Sequence, residues 1–184
     1  MGPRRRHRWW WRASAGLGVL LVAVVLGVVA EFFGGLRSDP AFLACLTDAC
    51  YTRIGGGGER GIAVLNRTVM LSPRGIDPVI AAHELTHVEL HARLGTASVP
   101  QWFDEGLAVL VSDDPRYLLP EGPGDRCRVA PAGPLPESLD AWLRAAGSDP
   151  QVYAQAGCAV SRLLAAHDVH ALVALLAAGE ALPG

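Results

Sequence analysis

With 184 residues the chain has room for one modest domain, and a composition 51% hydrophobic with a mean hydropathy of +0.26 reads as globular once a strongly apolar N-terminal run is set aside. The net charge of -2 hides an asymmetry: six of the 16 arginines precede Ser38 against a single acid, Glu31, so the body beyond Arg37 carries 10 basic and 17 acidic residues, a formal charge of -7. A body of that sign excludes a nucleic-acid partner, whose phosphates need a basic face.

The chain opens on MGPRRRHRWWWR, five arginines and three tryptophans directly before an apolar run from Ala13 to Phe33. The run has the length of a membrane span, and arginines on its N-terminal side predict that end inside the cell. The expected organisation is a cytoplasmic basic N-terminus over 1–12, a transmembrane anchor over 13–36 and an extracytoplasmic domain over 37–184, a single-pass protein of the cell membrane. Val28-Val29-Ala30 offers the small residues of a signal-peptide cleavage site, but the run is longer than a signal core, which favours an uncleaved anchor. A buried core helix is disfavoured because no polar face interrupts the run.

Ser38 to Tyr51 reads as a short helical or looped segment containing Cys45 and Cys50, with Cys127 and Cys158 as a second possible pair. An even number of cysteines outside the cytoplasm favours disulfides, although four cysteines allow three pairings and Cys158 also suits a small buried position. The C-x-x-C spacing of a cysteine zinc site is absent. Gly55 to Gly58 breaks regular structure, and GIAVLNRTVMLS from Gly61 to Ser72 predicts one strand or a bent pair.

From about Asp77 to Leu94 the apolar positions Val79, Ile80, Ala82, Leu85, Val88 and Leu94 recur at helical spacing. Asp77 suits the N-cap, Pro78 the first turn and Gly95 the stop. A second helix is expected from near Pro100 through QWFDEGLAVLVS, then a long irregular loop between Asp113 and Pro136. Three short helices follow around Leu139 to Ala146, Pro150 to Ala166 and Val169 to Ala178.

The chemistry concentrates in HELTH at positions 83 to 87. On a helix, His83 and His87 project from one face a turn apart, close enough for both imidazoles to bind one zinc ion. Glu84 lies on the same side, where it can take a proton from water on the metal and pass it to a leaving amine. Alone the pattern is weak, and its bland alternative is an amphipathic helix with surface histidines. Eighteen positions after His87, however, Glu105 stands among Trp102, Phe103, Leu107 and Ala108, where an unpaired buried carboxylate would be costly. Two histidines and a glutamate leave a coordination position open, as a catalytic zinc requires.

HELTH followed by the run Pro100-Gln101-Trp102-Phe103-Asp104-Glu105-Gly106-Leu107-Ala108 resembles the gluzincin metallopeptidases, especially the small peptidase-MA-like domains related to the aminopeptidase N group, over roughly Val64 to Ala166. The resemblance implies an α+β zincin-like domain, with a small sheet, an active-site helix, a second ligand helix and a helical C-terminal part, preceded by one transmembrane helix. It further implies a zinc cofactor held by His83, His87 and Glu105, Glu84 as general base, and a peptide or protein substrate. Tyr153-Ala154-Gln155-Ala156-Gly157 resembles the segment whose tyrosine donates to the tetrahedral oxyanion, which would make Tyr153 catalytic, although a tyrosine on an apolar helix is more often core. The glycine-rich motif that reads a free amine in aminopeptidases is missing, so an endopeptidase is equally consistent.

His91 extends the series to HELTHVELH, but it lies about 12 Å of helical rise from His83 and is not expected to be a ligand. Asp104 could orient a metal-bound histidine or be a surface charge, and His167 and His170 default to surface or capping roles. Substrate is expected to add to an edge strand within Val64 to Ser72. The alternative from another class is a zinc-stabilised binding or regulatory module without turnover.

Overall fold

The computed structural model describes residues 7–121 and 125–183, with side chains from Gly18 onward. Arg4, Arg5 and Arg6 of the expected cytoplasmic N-terminus lie outside the described residues, and so do the side chains of Arg8, Arg12 and the tryptophans at 9 to 11. In chain order the elements are α1 (His7–Phe33), β1 (Ala41–Ala44), α2 (Asp48–Arg53), β2 (Gly61–Val64), β3 (Thr68–Leu71), α3 (Pro78–Leu94), α4 (Gln101–Val111), α5 (Leu139–Ser148), α6 (Val152–Ala166) and α7 (Val169–Ala177). The architecture is mixed α and β.

The three strands form one sheet in the order β1-β3-β2, with β1 parallel and β2 antiparallel to β3. The expected strand from Gly61 to Ser72 is thus a pair, broken where Leu65 and Asn66 turn through the left-handed region. β1 was not expected. Its four residues AFLA are mostly exposed, and what makes them a strand is pairing with β3, in register Ala41 with Thr68 through Ala44 with Leu71.

α3 is the centre of the molecule, with the sheet on one side and α1, α4 and α7 packed around it. Asp77 caps it by accepting from Val79 N–H at 2.8 Å, Pro78 occupies its first turn and Gly95 closes it, as the residues predict. Leu85, Val88, Leu90 and Leu94 are buried in one cluster with Val69, Leu71, Phe103 and Leu107. Full burial of each such side chain contributes about 1.5–3 kcal/mol.

Val25, Val29 and Phe33 of α1 join that same cluster as a stripe four residues apart, while Val19, Leu20, Val24 and Val28 point outward. The junction after α1 is held by a buried ion pair on α3. Glu89, fully buried, accepts from Arg37 N–H at 2.7 Å, Ser38 N–H at 3.0 Å and the Ser38 hydroxyl at 2.6 Å, and it pairs with Arg93. Arg93 in turn donates to the carbonyls of Phe33 at 2.8 Å and Gly35 at 2.7 Å, and its guanidinium lies 4.8 Å over the Phe33 ring. The carbonyls that a helix leaves unpaired at its C-terminus are thereby met by α3.

Among the described residues no single helix is long and apolar enough to cross a membrane by itself; Gly18–Phe33 is a shorter apolar helix, and α6 with α7 form a bent apolar pair at 106°. Disulfides join Cys45 to Cys50 and Cys127 to Cys158. The second ties the irregular segment after α4 to α6, where the one isolated bridge among the described residues pairs Leu118 with Cys127.

Candidate metal centre

α3 and α4 bring the three expected ligands together. His83 and His87, one helical turn apart, have ring centroids 5.0 Å apart. Glu105 Oε2 lies 3.4 Å from His83 Nε2 and 3.8 Å from His87 Nε2, and one ligand atom from each residue falls within 4.8 Å of the others. Donors held about 2.0–2.2 Å from a tetrahedral metal are themselves roughly 3.3–3.6 Å apart, so the three fit around one ion. Glu105 Oε1 accepts from the Gln101 side-chain amide at 3.3 Å, which leaves Oε2 turned to the imidazoles.

Asp104 is a buried carboxylate, not a surface charge. It accepts from His87 Nδ1–H at 2.6 Å and from His91 Nε2–H at 2.8 Å. The first bond keeps the Nδ1 proton in place and turns Nε2 toward Glu105, the orientation a metal ligand needs once Nε2 gives up its proton. His91 therefore stands behind Asp104 and outside the ligand group.

Glu84, Asp104 and Glu105 crowd two imidazoles. Burial works against charge on His87, but Asp104, Glu105 and Glu84 outweigh it and push the imidazole pKa up to about 10. Burial likewise opposes charge on Asp104 and Glu105, and the histidines beside them prevail, holding both below the usual carboxylate range. Glu84 differs: burial dominates and raises it, despite the pull of His83, His87 and the Ala63 N–H. A pKa near 10 means that metal-free His87 is protonated at pH 7, and a metal at Nε2 must displace that proton. Zinc binding at pH 7 is expected to release about one proton from His87, read by titration calorimetry in buffers of different ionisation enthalpy. A heat of binding independent of the buffer would contradict the assignment.

Glu84 is seated by β2. A Cβ on Gly61 would come within 2.8 Å of Glu84 Cγ and 2.9 Å of Ile80 Cγ2, so only glycine leaves the carboxylate its place. The Arg60 carbonyl accepts from Ser72 N–H at 2.8 Å, and the alternation of an antiparallel ladder then turns the main-chain groups of Gly61 and Ala63 away from β3. This corrects the expected substrate edge: Thr68–Leu71 is the central strand, paired on both sides, and of the two edge strands, β1 and β2, it is Gly61–Val64 that lines the cleft.

β2, α3, α4, α5 and Tyr153 of α6 line a cleft of about 670 Å³ containing His83, Glu84, His87 and Glu105. The Tyr153 ring is 6.5 Å from that of His83, stacks on Tyr117 at 5.1 Å and meets Trp142 edge-on at 5.0 Å. Burial foremost, and the Glu105 charge next, raise its pKa, so the phenol keeps its proton at neutral pH. Gly106 sets this wall, because a Cβ there would lie 2.4 Å from the Ala156 carbonyl oxygen where α6 crosses α4.

Sequence reasoning missed Gly61 and Tyr117. Gly61 had no signal beyond being a glycine near a strand, and Tyr117 sits in a segment whose conformation no periodicity fixes. His167 and His170, as expected, take no part in the ligand group.

No protein-family model matches the chain, and no solved structure matches it. Among curated proteins, sodium/hydrogen exchanger 3 of Homo sapiens is 36% identical over 95 residues. The match covers 51% of this chain and 11% of the exchanger, a share too small to carry that protein's activity over to the cleft. Together with the apolar Gly18–Phe33 and the bent pair of α6 and α7, it points to association with a membrane.

Proposed function

We propose that the chain is a zinc-dependent peptidase tethered to a membrane by α1, with His83, His87 and Glu105 as ligands and Glu84 as general base. The observation that carries the reading is the convergence of two imidazole nitrogens and a carboxylate oxygen within 4.8 Å, in a cleft that also holds a further buried carboxylate and an open strand edge. Two neutral nitrogens and one oxygen suit zinc and leave a position free. Zinc, when bound, supplies a Lewis acid that polarises a peptide carbonyl and acidifies water.

The chain's own residues supply the rest. Glu84, whose proton affinity burial raises, accepts a proton from water and returns it to the leaving amine. Asp104 keeps His87 in the ligating tautomer. The outward-turned main-chain groups of Gly61 and the carbonyl of Ala63, whose N–H serves Glu84, hold an extended peptide as an added strand. Tyr153, protonated and near His83, donates to the developing oxyanion.

For the tether, the arginines before Ala13 favour a cytoplasmic N-terminus and an extracytoplasmic catalytic body. The packing of α1 supports an uncleaved helix, since removal of residues through Ala30 would strip Val25 and Val29 from the core.

The test is elemental analysis of the full chain purified in detergent, with cleavage of an unfolded protein substrate followed in parallel. One zinc per chain is expected, and a chelator should remove metal and cleavage together, both returning with added zinc. A chain without zinc would overturn the reading. Zinc without cleavage would make the protein a metal-stabilised binding module instead.

A further inference from the structure

The walls of the cleft differ from its floor. The floor is charged, whereas the rim carries bulky apolar side chains that the fold does not use. Leu139 and Leu143, 55% and 60% exposed, lie one turn apart on α5 and line the cleft. Trp142 between them points the other way and is buried against Val152 and Ala156. Ile62, on the open strand β2, lines the same cleft and is also exposed. Single exposed apolar residues are ordinary, but several gathered at one concave site mark a surface that something covers. What lines the cleft with charge is Glu59, Glu84, Asp104, Glu105 and the histidines, without an arginine among the described lining residues, so an acidic side chain entering it would meet carboxylates.

We propose that the substrate is an extended peptide with a bulky apolar side chain, aliphatic or aromatic, beside the scissile bond, received by Leu139 and Leu143 of α5 and Ile62 of β2. The proposal rests on the peptidase reading above. The occupant is fixed by continuity: the apolar rim shares one cleft with the ligand group and with the strand edge that would hold the peptide backbone. Apolar pockets of this kind discriminate by roughly 10- to 100-fold.

The experiment uses the full zinc-loaded chain in detergent and peptides that vary one residue beside the cut between Leu, Phe, Ala and Asp. Wild type should favour Leu and Phe over Ala and Asp, and the Leu139→Ser/Leu143→Ser double variant should lower the Leu-to-Ala ratio of kcat/KM by roughly 10- to 100-fold. Both positions are exposed, and equal zinc content of the variant checks its folding. Binding of a fluorescent Leu peptide to the Glu84→Gln chain, with and without the two serines, gives a second readout free of turnover. Cleavage with no apolar bias, or with a bias that the serines leave intact, would overturn the proposal and spare the peptidase reading. Leucine-dependent binding without any cleavage would overturn that reading and the proposal with it, since no scissile bond would lie beside the apolar rim. A loss seen only in binding to phosphatidylglycerol vesicles would assign the rim to lipid and overturn the proposal.

Discussion

Glu84→Gln is expected to retain about one zinc per chain while peptide hydrolysis falls by roughly 10²- to 10⁴-fold, the usual share of a positioned general base. The two effects separate because Glu84 is not among the three converging ligand atoms, which belong to His83, His87 and Glu105. Glutamine is close in shape and can still accept from the Ala63 N–H beneath β2, so the helix and the cleft should keep their form. It cannot take a proton. Elemental analysis beside a fluorogenic peptide assay decides the matter, and equal hydrolysis by variant and wild type would remove Glu84 from the chemistry. His83→Ala should instead lose metal and activity together.

The second large effect concerns stability and lies outside the cleft. Glu89→Ala removes the acceptor for Arg37 N–H, Ser38 N–H and the Ser38 hydroxyl, and leaves Arg93 with its guanidinium still buried against Phe33. Breaking one half of a buried pair costs about 3–5 kcal/mol, because the other charge stays without its partner. For a chain of this size, Tm should fall by roughly 10 °C in thermal unfolding of the detergent-solubilised protein. Glu89→Gln, which keeps an acceptor, should lose less. An unchanged Tm for Glu89→Ala would mean that the pair does not hold α1 to α3.

What the residues disclosed in advance follows from how local each cause is. α3 was legible to its ends because Asp77, Pro78 and Gly95 act on their own backbone neighbours. The sheet was legible only in part. β2 and β3 carry the apolar, β-branched residues of strands, but the turn at Leu65 and Asn66 lacks the glycine that commonly marks one, and β1 exists through a partner 27 residues along the chain. α1 is a different case: a run without a polar face looks the same whether lipid or protein covers it, and the burial of Val25, Val29 and Phe33 in the shared core shows which side protein covers. At the site, the meeting of the three candidate side chains followed from spacing, since His83 and His87 are fixed by one helix and Glu105 by the next. The roles of Asp104 and Gly61 did not, because each depends on a side chain from a separate element meeting it at contact distance.

The latch between α1 and α3 also governs reach. Arg93 grips the carbonyls of Phe33 at the end of α1 and of Gly35 just beyond it, and Glu89 grips Arg37 and Ser38, so little slack separates α1 from the helix bearing the candidate ligands. A body bolted to α1 in this way cannot swing about the junction: whatever holds α1 also sets the height and orientation of α3 and of the cleft beside it.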